Sequence, residues 1–144
     1  MTFTPNEDQQ AIVEAAARVC ARFGDDYWLA RDRDGRFPEE FVAAMAEGGW
    51  LGICMPGAYG GSGLGVTEAA LMMRTVAQSG AALQGCSSIH VNLFGPMPIV
   101  KFGTEDQRTA FLPALISGKD RMCFGVTEPN SGLDTSSIET RAVR

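Results

Sequence analysis

The chain has 144 residues, a formal net charge of −5 and 45% hydrophobic residues, which is ordinary for a single globular domain. Its 12 basic residues are outnumbered by 17 acidic ones and form no run, which argues against a nucleic-acid-binding surface. No apolar stretch approaches the roughly 18 residues that a membrane span requires, and the N-terminus has no signal-peptide core.

The first part of the chain, about 115 residues, is predicted to be helical, with glycine and proline between the helices. Thr4–Glu7 has the pattern of a capping box with proline at the first helical position, and apolar residues from Ile12 to Phe23 then recur at helical spacing. The charged segment Asp25–Phe37 is predicted to be a helix end followed by a solvated loop. Pro38–Glu40 begins a second helix with acidic residues in its first turn, and Gly48–Gly49 ends it.

The apolar stretch Trp50–Pro56 is predicted to pack inward, and the glycine-rich run Gly57–Gly65 to be a flexible connection between helices. Phosphate binding by this run is the alternative. It lacks G-K-[ST], an in-register G-x-G-x-x-G and a leading strand, so the connection is preferred. Further helices are predicted at Val66–Ser79, at roughly Ala82–Phe94 and at Thr104–Gly118, the last of which opens with a second capping box.

The predicted secondary structure changes from helix to strand after Asp120. Met122–Val126 and Ile138–Val143 have the composition of β-strands. Helices first and strands last indicate an α+β fold, with an all-helical domain over residues 1–120 and the first strands of a β-domain over residues 121–144.

A turn follows the first predicted strand, because Pro129–Gly132 is a run of turn-forming residues. A strand that leads into a rigid, glycine-containing turn is a common way to present backbone N–H groups and a hydroxyl to a flat polar ligand. The sequence therefore predicts one ligand-binding turn near residue 130.

Outside this turn, the spacing of histidine, acidic and serine residues does not indicate a catalytic site. The single histidine, His90, lies on a mostly apolar helix, which is more typical of a packing or hydrogen-bonding residue than of a general base. The acidic pairs Glu39–Glu40 and Glu105–Asp106 are typical partners of helix dipoles, and Ser87–Ser88 has no nucleophile-elbow pattern.

The four cysteines are 32 to 37 residues apart, without a C-x-x-C pair or an adjacent histidine. This spacing fits neither a zinc site nor a tight disulfide framework. We therefore predict reduced core thiols in a cytoplasmic protein, with no metal site.

Phe124–Asp134 resembles the signature of the acyl-CoA dehydrogenase family, an aromatic or small residue followed by hydrophobic-Thr-Glu-Pro-x-x-Gly-x-Asp. Two further blocks, Gly49–Gly63 and Pro96–Pro113, are similar to the family's helix-to-loop passage and to the block before its first strand. The resemblance covers essentially the whole chain. It implies an N-terminal helical domain and the opening of a middle β-domain, from an enzyme that also has a C-terminal four-helix domain.

The resemblance also implies a reaction, in which two hydrogens leave the α and β carbons of an acyl-CoA thioester and a hydride passes to N5 of FAD. It assigns cofactor contacts to the turn, chiefly through the Thr127 hydroxyl and nearby backbone N–H groups, since such donors stabilise the charge that builds on the reduced ring. The cofactor residues are Phe124, Val126, Thr127, Gly132 and Leu133.

The acyl-CoA substrate is implied to lie beside one face of the predicted helix Ala82–Phe94. The residues assigned to it are Ser87, His90, Val91, Phe94 and Leu133. Where Leu133 stands the family often has a serine that touches the CoA part of the substrate, so Leu133 could offer only its backbone.

No catalytic residue is assigned to this chain, because the family's catalytic base is a glutamate of the C-terminal domain. We therefore expect an N-terminal part that is inactive alone. The resemblance implies an electron-transfer flavoprotein or similar acceptor and a homo-oligomeric enzyme. The alternatives are an acyl-CoA oxidase or flavin monooxygenase on the same fold, or a non-catalytic helical partner of a full-length subunit.

Overall fold

The computed structural model describes residues 4–143, and helices form most of that part of the chain. Residues 1–3 and Arg144, the outer ends of the two predicted domains, lie outside the described residues. The α-helices are α1 (Glu7–Cys20), α2 (Asp25–Asp34), α3 (Glu39–Glu47), α4 (Val66–Val76), α5 (Ala82–Phe94), α6 (Met97–Phe102) and α7 (Glu105–Ile116). A π-helical turn, Ala77–Ala81, joins α4 to α5. None of the helices within residues 4–143 is long and apolar enough to cross a membrane.

Two hydrogen-bonded boxes start α1 and α7. The second was predicted, and the Thr104 hydroxyl does accept from the Gln107 N–H at 3.3 Å. The first lies two residues later than predicted, because Asn6 rather than Thr4 is the cap. The Asn6 side chain accepts from the Gln9 N–H at 2.8 Å, and the Gln9 side chain accepts from the Asn6 N–H at 3.2 Å.

The helix α2 corrects the prediction of a helix end followed by a solvated loop over Asp25–Phe37, since most of this range is one helix. Its anchor is Trp28, which is 5% exposed and whose indole N–H donates to the Phe23 carbonyl at 3.0 Å. Gly35 ends the helix in the left-handed conformation, with φ of 67°. Tyr27 packs beside Trp28 and is partly buried, whereas most of the charged residues of this helix are exposed.

The core lies between α1, α3, α4 and α5, where the largest side chains are fully buried. They include Phe41, Met45, Met72, Val76 and Ile89. The predicted inward packing of Trp50–Pro56 is confirmed, since Leu51, Ile53 and Met55 are buried.

The glycine-rich run Gly57–Gly65 is not the flexible connection that was predicted. Its backbone returns to the preceding stretch, where Gly63 donates to the Met55 carbonyl at 2.8 Å and Leu64 donates to the Ile53 carbonyl at 2.9 Å. A Cβ atom at Gly61 would lie 2.1 Å from the Met55 carbonyl oxygen. Glycine therefore serves close backbone approach here.

The two predicted strands, Met122–Val126 and Ile138–Val143, are not formed. Within the described part of the chain, the β-pairing consists of one isolated bridge between Glu128 and Ser131. A strand needs a paired neighbour, and these two segments do not pair with each other. The mostly helical fold is therefore observed, whereas the opening of a β-domain is not.

The predicted core thiols are only partly confirmed. Cys20 is buried, Cys54 and Cys86 are half-buried, and Cys123 is exposed. Burial raises the pKa of the first three thiols, which disfavours the reactive thiolate at these positions.

Candidate functional site

The helix α5 divides into an inward and an outward face. Ile89, Asn92 and Leu93 are buried on the inward face. The four substrate residues predicted on this helix share the other face at spacings of three and four, which places them side by side. Ser87 and Phe94 are exposed, and His90 and Val91 are half-buried. We call Ser87, His90, Val91 and Phe94 the acyl-side face.

Three aromatic rings connect this face to the segment after α7. The His90 and Phe94 rings lie 5.3 Å apart between centroids, and the Phe94 and Phe124 rings lie 5.2 Å apart at 75°. Phe94 is 42% exposed and Phe124 is 54% exposed, so both rings still present surface for a ligand. The structure thus brings together one predicted cofactor residue and two predicted substrate residues.

The side-chain orientation of His90 is also fixed. Its Nδ1 lies 3.1 Å from the Ser87 carbonyl oxygen. Since a carbonyl only accepts hydrogen bonds, we assign the proton of the neutral ring to Nδ1, which leaves Nε2 as an acceptor. His90 can therefore offer a hydrogen-bond acceptor beside an apolar ligand.

Asn92, which is not one of the predicted site residues, joins α5 to the candidate site. Its Oδ1 accepts from the Met122 N–H at 2.9 Å, and its Nδ2 donates to the Asp120 carbonyl at 3.2 Å and to the Leu115 carbonyl at 3.4 Å. The residue is 7% exposed. An asparagine on the buried side of an apolar helix is the signal that could have revealed this joint.

Arg121 fixes the same segment to the other side of the fold. Its guanidinium pairs with the Glu39 carboxylate and lies 4.2 Å from the centre of the Phe37 ring. Both charged side chains are about half exposed, so the pair contributes little stability. Its main effect is to orient the segment after α7. The start of the segment is therefore held between α3 and α5.

A recess of about 100 Å³ lies beside Asn92 and Arg121. Phe37, Ser88 and Met122 line it, together with Ser87 and Val91 of the acyl-side face. A volume of this size would accept about three water molecules or a small apolar group. The acyl-side face therefore continues from an open surface into a recess.

The predicted ligand turn is closed by reciprocal backbone hydrogen bonds. The Glu128 N–H donates to the Ser131 carbonyl at 2.8 Å, and the Ser131 N–H donates to the Glu128 carbonyl at 3.1 Å. Ser131 is 4% exposed and its hydroxyl donates to the Asp134 carbonyl at 2.7 Å. A rigid turn is therefore present without the flanking strands.

The predicted cofactor residues of this segment remain open to a ligand. Thr127, Gly132 and Leu133 are exposed and Val126 is half-buried. Among residues 4–143, the backbone N–H groups of Val126 and Thr127 have no acceptor. Free donors next to a half-exposed phenyl ring are a donor set that suits the edge of a flavin.

The Glu128 carboxylate gives the turn a pH dependence. A side-chain hydrogen bond from Thr140, followed by the backbone N–H groups of Glu139 and Thr140, lowers the pKa of Glu128 below its usual 4.5. A lowered pKa in the folded state means that the stabilisation is complete above pH 4.5 and is lost as the pH falls through the folded-state value.

We therefore expect the amide signals of Glu139 and Thr140 to titrate together in an NMR pH series, with a midpoint below 4.5. The variant Glu128→Gln should abolish this transition while leaving the titrations of the other carboxylates in place. A transition that survives in Glu128→Gln would show that another carboxylate holds these amides.

A family model described as "Acyl-CoA dehydrogenase, N-terminal domain" matches residues 6–119. An acyl-CoA dehydrogenase of Mycobacterium tuberculosis is 35% identical over 143 residues, which cover 99% of this chain and 36% of that protein. The acryloyl-CoA reductase (NADH) of Anaerotignum propionicum is 38% identical, with the same coverage of 99% and 36%. The chain thus spans about a third of the length of the curated relatives it matches.

Solved structures have the same fold over nearly the whole chain. The butyryl-CoA dehydrogenase of Megasphaera elsdenii matches with a TM-score of 0.79 and 28% identity, over 94% of this chain and 36% of its own. A chain from a structure described as the electron transferring flavoprotein of Acidaminococcus fermentans matches with a TM-score of 0.82 and 32% identity, over 95% and 36%.

Proposed function

This chain belongs to the acyl-CoA dehydrogenase family, and we propose that it supplies the helical side of the flavin and acyl-CoA site in an FAD-dependent enzyme that dehydrogenates acyl-CoA between the α and β carbons. The observation that carries this proposal is the contact of the Phe94 and Phe124 rings at 5.2 Å. It joins the acyl-side face of α5 to the segment with free backbone donors. Hydride transfer requires that the two reactants are bound side by side.

The proposal divides the chain near residue 120, with the helical domain before it and the beginning of the β-domain after it. The family match supports this boundary, since it ends at residue 119. The Asn92 joint lies at the same point and would fix the relative position of the two parts.

Each group in the turn has a distinct role in the proposed site. FAD, when bound, supplies the hydride acceptor. The Thr127 hydroxyl and the N–H groups of Val126 and Thr127 would donate to the flavin, where negative charge builds on reduction. Phe124, Gly132 and Leu133 would also hold the cofactor, and the Leu133 backbone would contact the substrate as well.

The acyl group of the substrate is proposed to lie along the acyl-side face. Val91 and Phe94 provide apolar contact, and they exclude water from the reacting carbons. Ser87 and His90 provide hydrogen-bonding groups beside this apolar surface. None of these residues is assigned the removal of the α-proton, so the base is a residue of another part of the complete enzyme.

The electron acceptor is proposed to be an electron-transfer flavoprotein or a similar protein. The likeness to a chain in a structure described as an electron transferring flavoprotein supports this partner. Homo-oligomeric assembly and a cytoplasmic location remain predictions from the sequence.

A second candidate function is the reverse reaction, reduction of an α,β-unsaturated acyl-CoA. The 38% identity to a protein named acryloyl-CoA reductase (NADH) favours it. The same binding groups serve both directions, because the reaction passes through one transition state. Comparing the rates with a saturated and an unsaturated thioester of the same chain length, each with a suitable electron partner, decides between them.

The variant Thr127→Val tests the flavin contact, because it keeps the shape of the side chain and removes the hydroxyl. In the flavin-bound protein that contains this chain, we expect a loss of about 1–3 kcal/mol in FAD binding, which is a five- to 150-fold higher Kd. Equilibrium dialysis against FAD measures it. Thr135→Val, at an exposed threonine of the same region, is the matched control and should change the Kd less than twofold. An unchanged Kd and reduction potential in Thr127→Val would refute the assignment.

A further inference from the structure

We propose that Glu128 is a positioning residue whose carboxylate holds Val126 and Thr127 in the orientation that the flavin edge requires. The proposal rests on the flavin site described above and adds a residue to it. Glu128 itself is assigned no contact with cofactor or substrate. Its role is to connect the turn to the segment that follows it.

The carboxylate of Glu128 binds two consecutive backbone N–H groups. Oε2 accepts from the Glu139 N–H at 2.8 Å, and Oε1 accepts from the Thr140 N–H at 2.9 Å. Hydrogen bonds to an ionised acceptor are stronger than neutral ones, and two parallel bonds define a direction as well as a distance. The side chain therefore fixes the orientation of Glu128 relative to residues 139–140.

The backbone of the same residue is fixed a second time. Its N–H and carbonyl groups exchange hydrogen bonds with Ser131, which is itself buried and bonded to Asp134. Glu128 is thus the point where the closed turn and the following segment meet. Thr127 directly precedes it, so a rotation of Glu128 would redirect the Thr127 hydroxyl and N–H.

A carboxylate suits this position better than an amide does. Both of its oxygens accept hydrogen bonds, whereas a glutamine has one accepting oxygen and an NH₂ group that would face a backbone N–H. The change Glu128→Gln keeps the size of the side chain and removes one of the two bonds. It should therefore disturb the orientation of Val126 and Thr127 with little change in packing.

The midpoint potential of the flavin is the readout that a merely structural role would not move. Correctly placed donors stabilise the reduced, more negative ring more than the oxidised ring. We expect Glu128→Gln, in the flavin-bound protein, to lower the preference for reduced over oxidised flavin about tenfold, which corresponds to a potential about 30 mV more negative. Glu47→Gln makes the same change at an exposed glutamate of α3, away from the turn, and should leave the potential unchanged.

Two further variants test whether the shift in potential comes from the hydrogen bonds of the Glu128 carboxylate. Thr140→Pro removes the N–H and the side-chain hydroxyl of Thr140, both of which donate to the carboxylate, while leaving the Glu128 charge intact, and it should shift the potential in the same direction. The double variant Glu128→Gln/Thr127→Val should shift the potential by less than the sum of the two single changes, because both act on the same contact.

The outcomes distinguish this inference from the proposed function. A shift in Thr127→Val with none in Glu128→Gln or Thr140→Pro would overturn the positioning role and leave the flavin site intact. Shifts in all three variants, with the double variant less than additive, would support it. No shift in any variant would refute the flavin contact and the positioning role together.

Discussion

Replacing Trp28 with alanine is expected to lower the free energy of unfolding by about 3–5 kcal/mol, which is the largest stability effect that we predict for this chain. The indole is 5% exposed and meets the Phe41 ring edge-to-face, with 5.0 Å between centroids. Its removal leaves a cavity in the core and deprives the Phe23 carbonyl of its donor. Denaturant unfolding of the chain, followed by far-ultraviolet circular dichroism, measures the change.

The neighbouring residue Leu29 provides the matched control for this prediction. It lies on the same helix but is 45% exposed, so Leu29→Ala should cost about 1 kcal/mol or less. If the two variants unfolded at the same denaturant concentration, α2 would not be anchored in the core by Trp28.

Replacing Asn92 with leucine is expected to have the second largest effect, and it should reach the ligand site as well. The change keeps the approximate size of the side chain but leaves the Asp120 and Leu115 carbonyls and the Met122 N–H without this partner. Unsatisfied buried groups of this kind should lower the free energy of unfolding by about 3 kcal/mol. Because Phe124 is only two residues beyond Met122, the flavin Kd should also rise about tenfold.

The same unfolding experiment and FAD dialysis measure both parts of this prediction. Gln10→Leu makes a similar change at an exposed position of α1 and should alter neither quantity appreciably. A stable Asn92→Leu protein with normal FAD affinity would contradict the view that Asn92 positions the segment.

An element of the fold could be predicted where its sequence pattern is local, and it was missed where the structure depends on tertiary contacts. The start of α7 was correct because a capping box is written in four consecutive residues. The helix α2 was missed because its ten residues are mostly charged, and the burial of Trp28 depends on Phe41 in another helix. Gly61 was misinterpreted for the same reason, since its closeness to Met55 is a tertiary contact.

The predicted strands illustrate the limit of β-propensity. Met122–Val126 has a suitable composition, but strand formation depends on a pairing partner rather than on composition alone. Within residues 4–143 the segment has none, and Ile138–Val143 is instead held at its start by the Glu128 carboxylate. The pattern of alternating hydrophobic residues does not indicate that a side chain will bind these backbone amides.

The assignment of the site residues remains a prediction, whereas their geometry could not be predicted from the sequence. The turn was predicted from its run of turn-forming residues and Thr127 from the family signature, but the contact between Phe94 and Phe124 appeared only in the structure. Asn92 was not identified, although a polar residue on the buried side of an apolar helix could have indicated it, and its three backbone partners appear only in the structure.

The most direct test of the proposed function is an anaerobic titration of the flavin-bound, full-length protein that contains this chain. Acyl-CoA thioesters of increasing chain length are added, and the visible absorbance of the oxidised flavin is followed. We expect at least one thioester to bleach the flavin, and Thr127→Val to weaken this reduction. A protein that binds FAD tightly but keeps its full absorbance with every acyl-CoA in the series would contradict the proposed dehydrogenation.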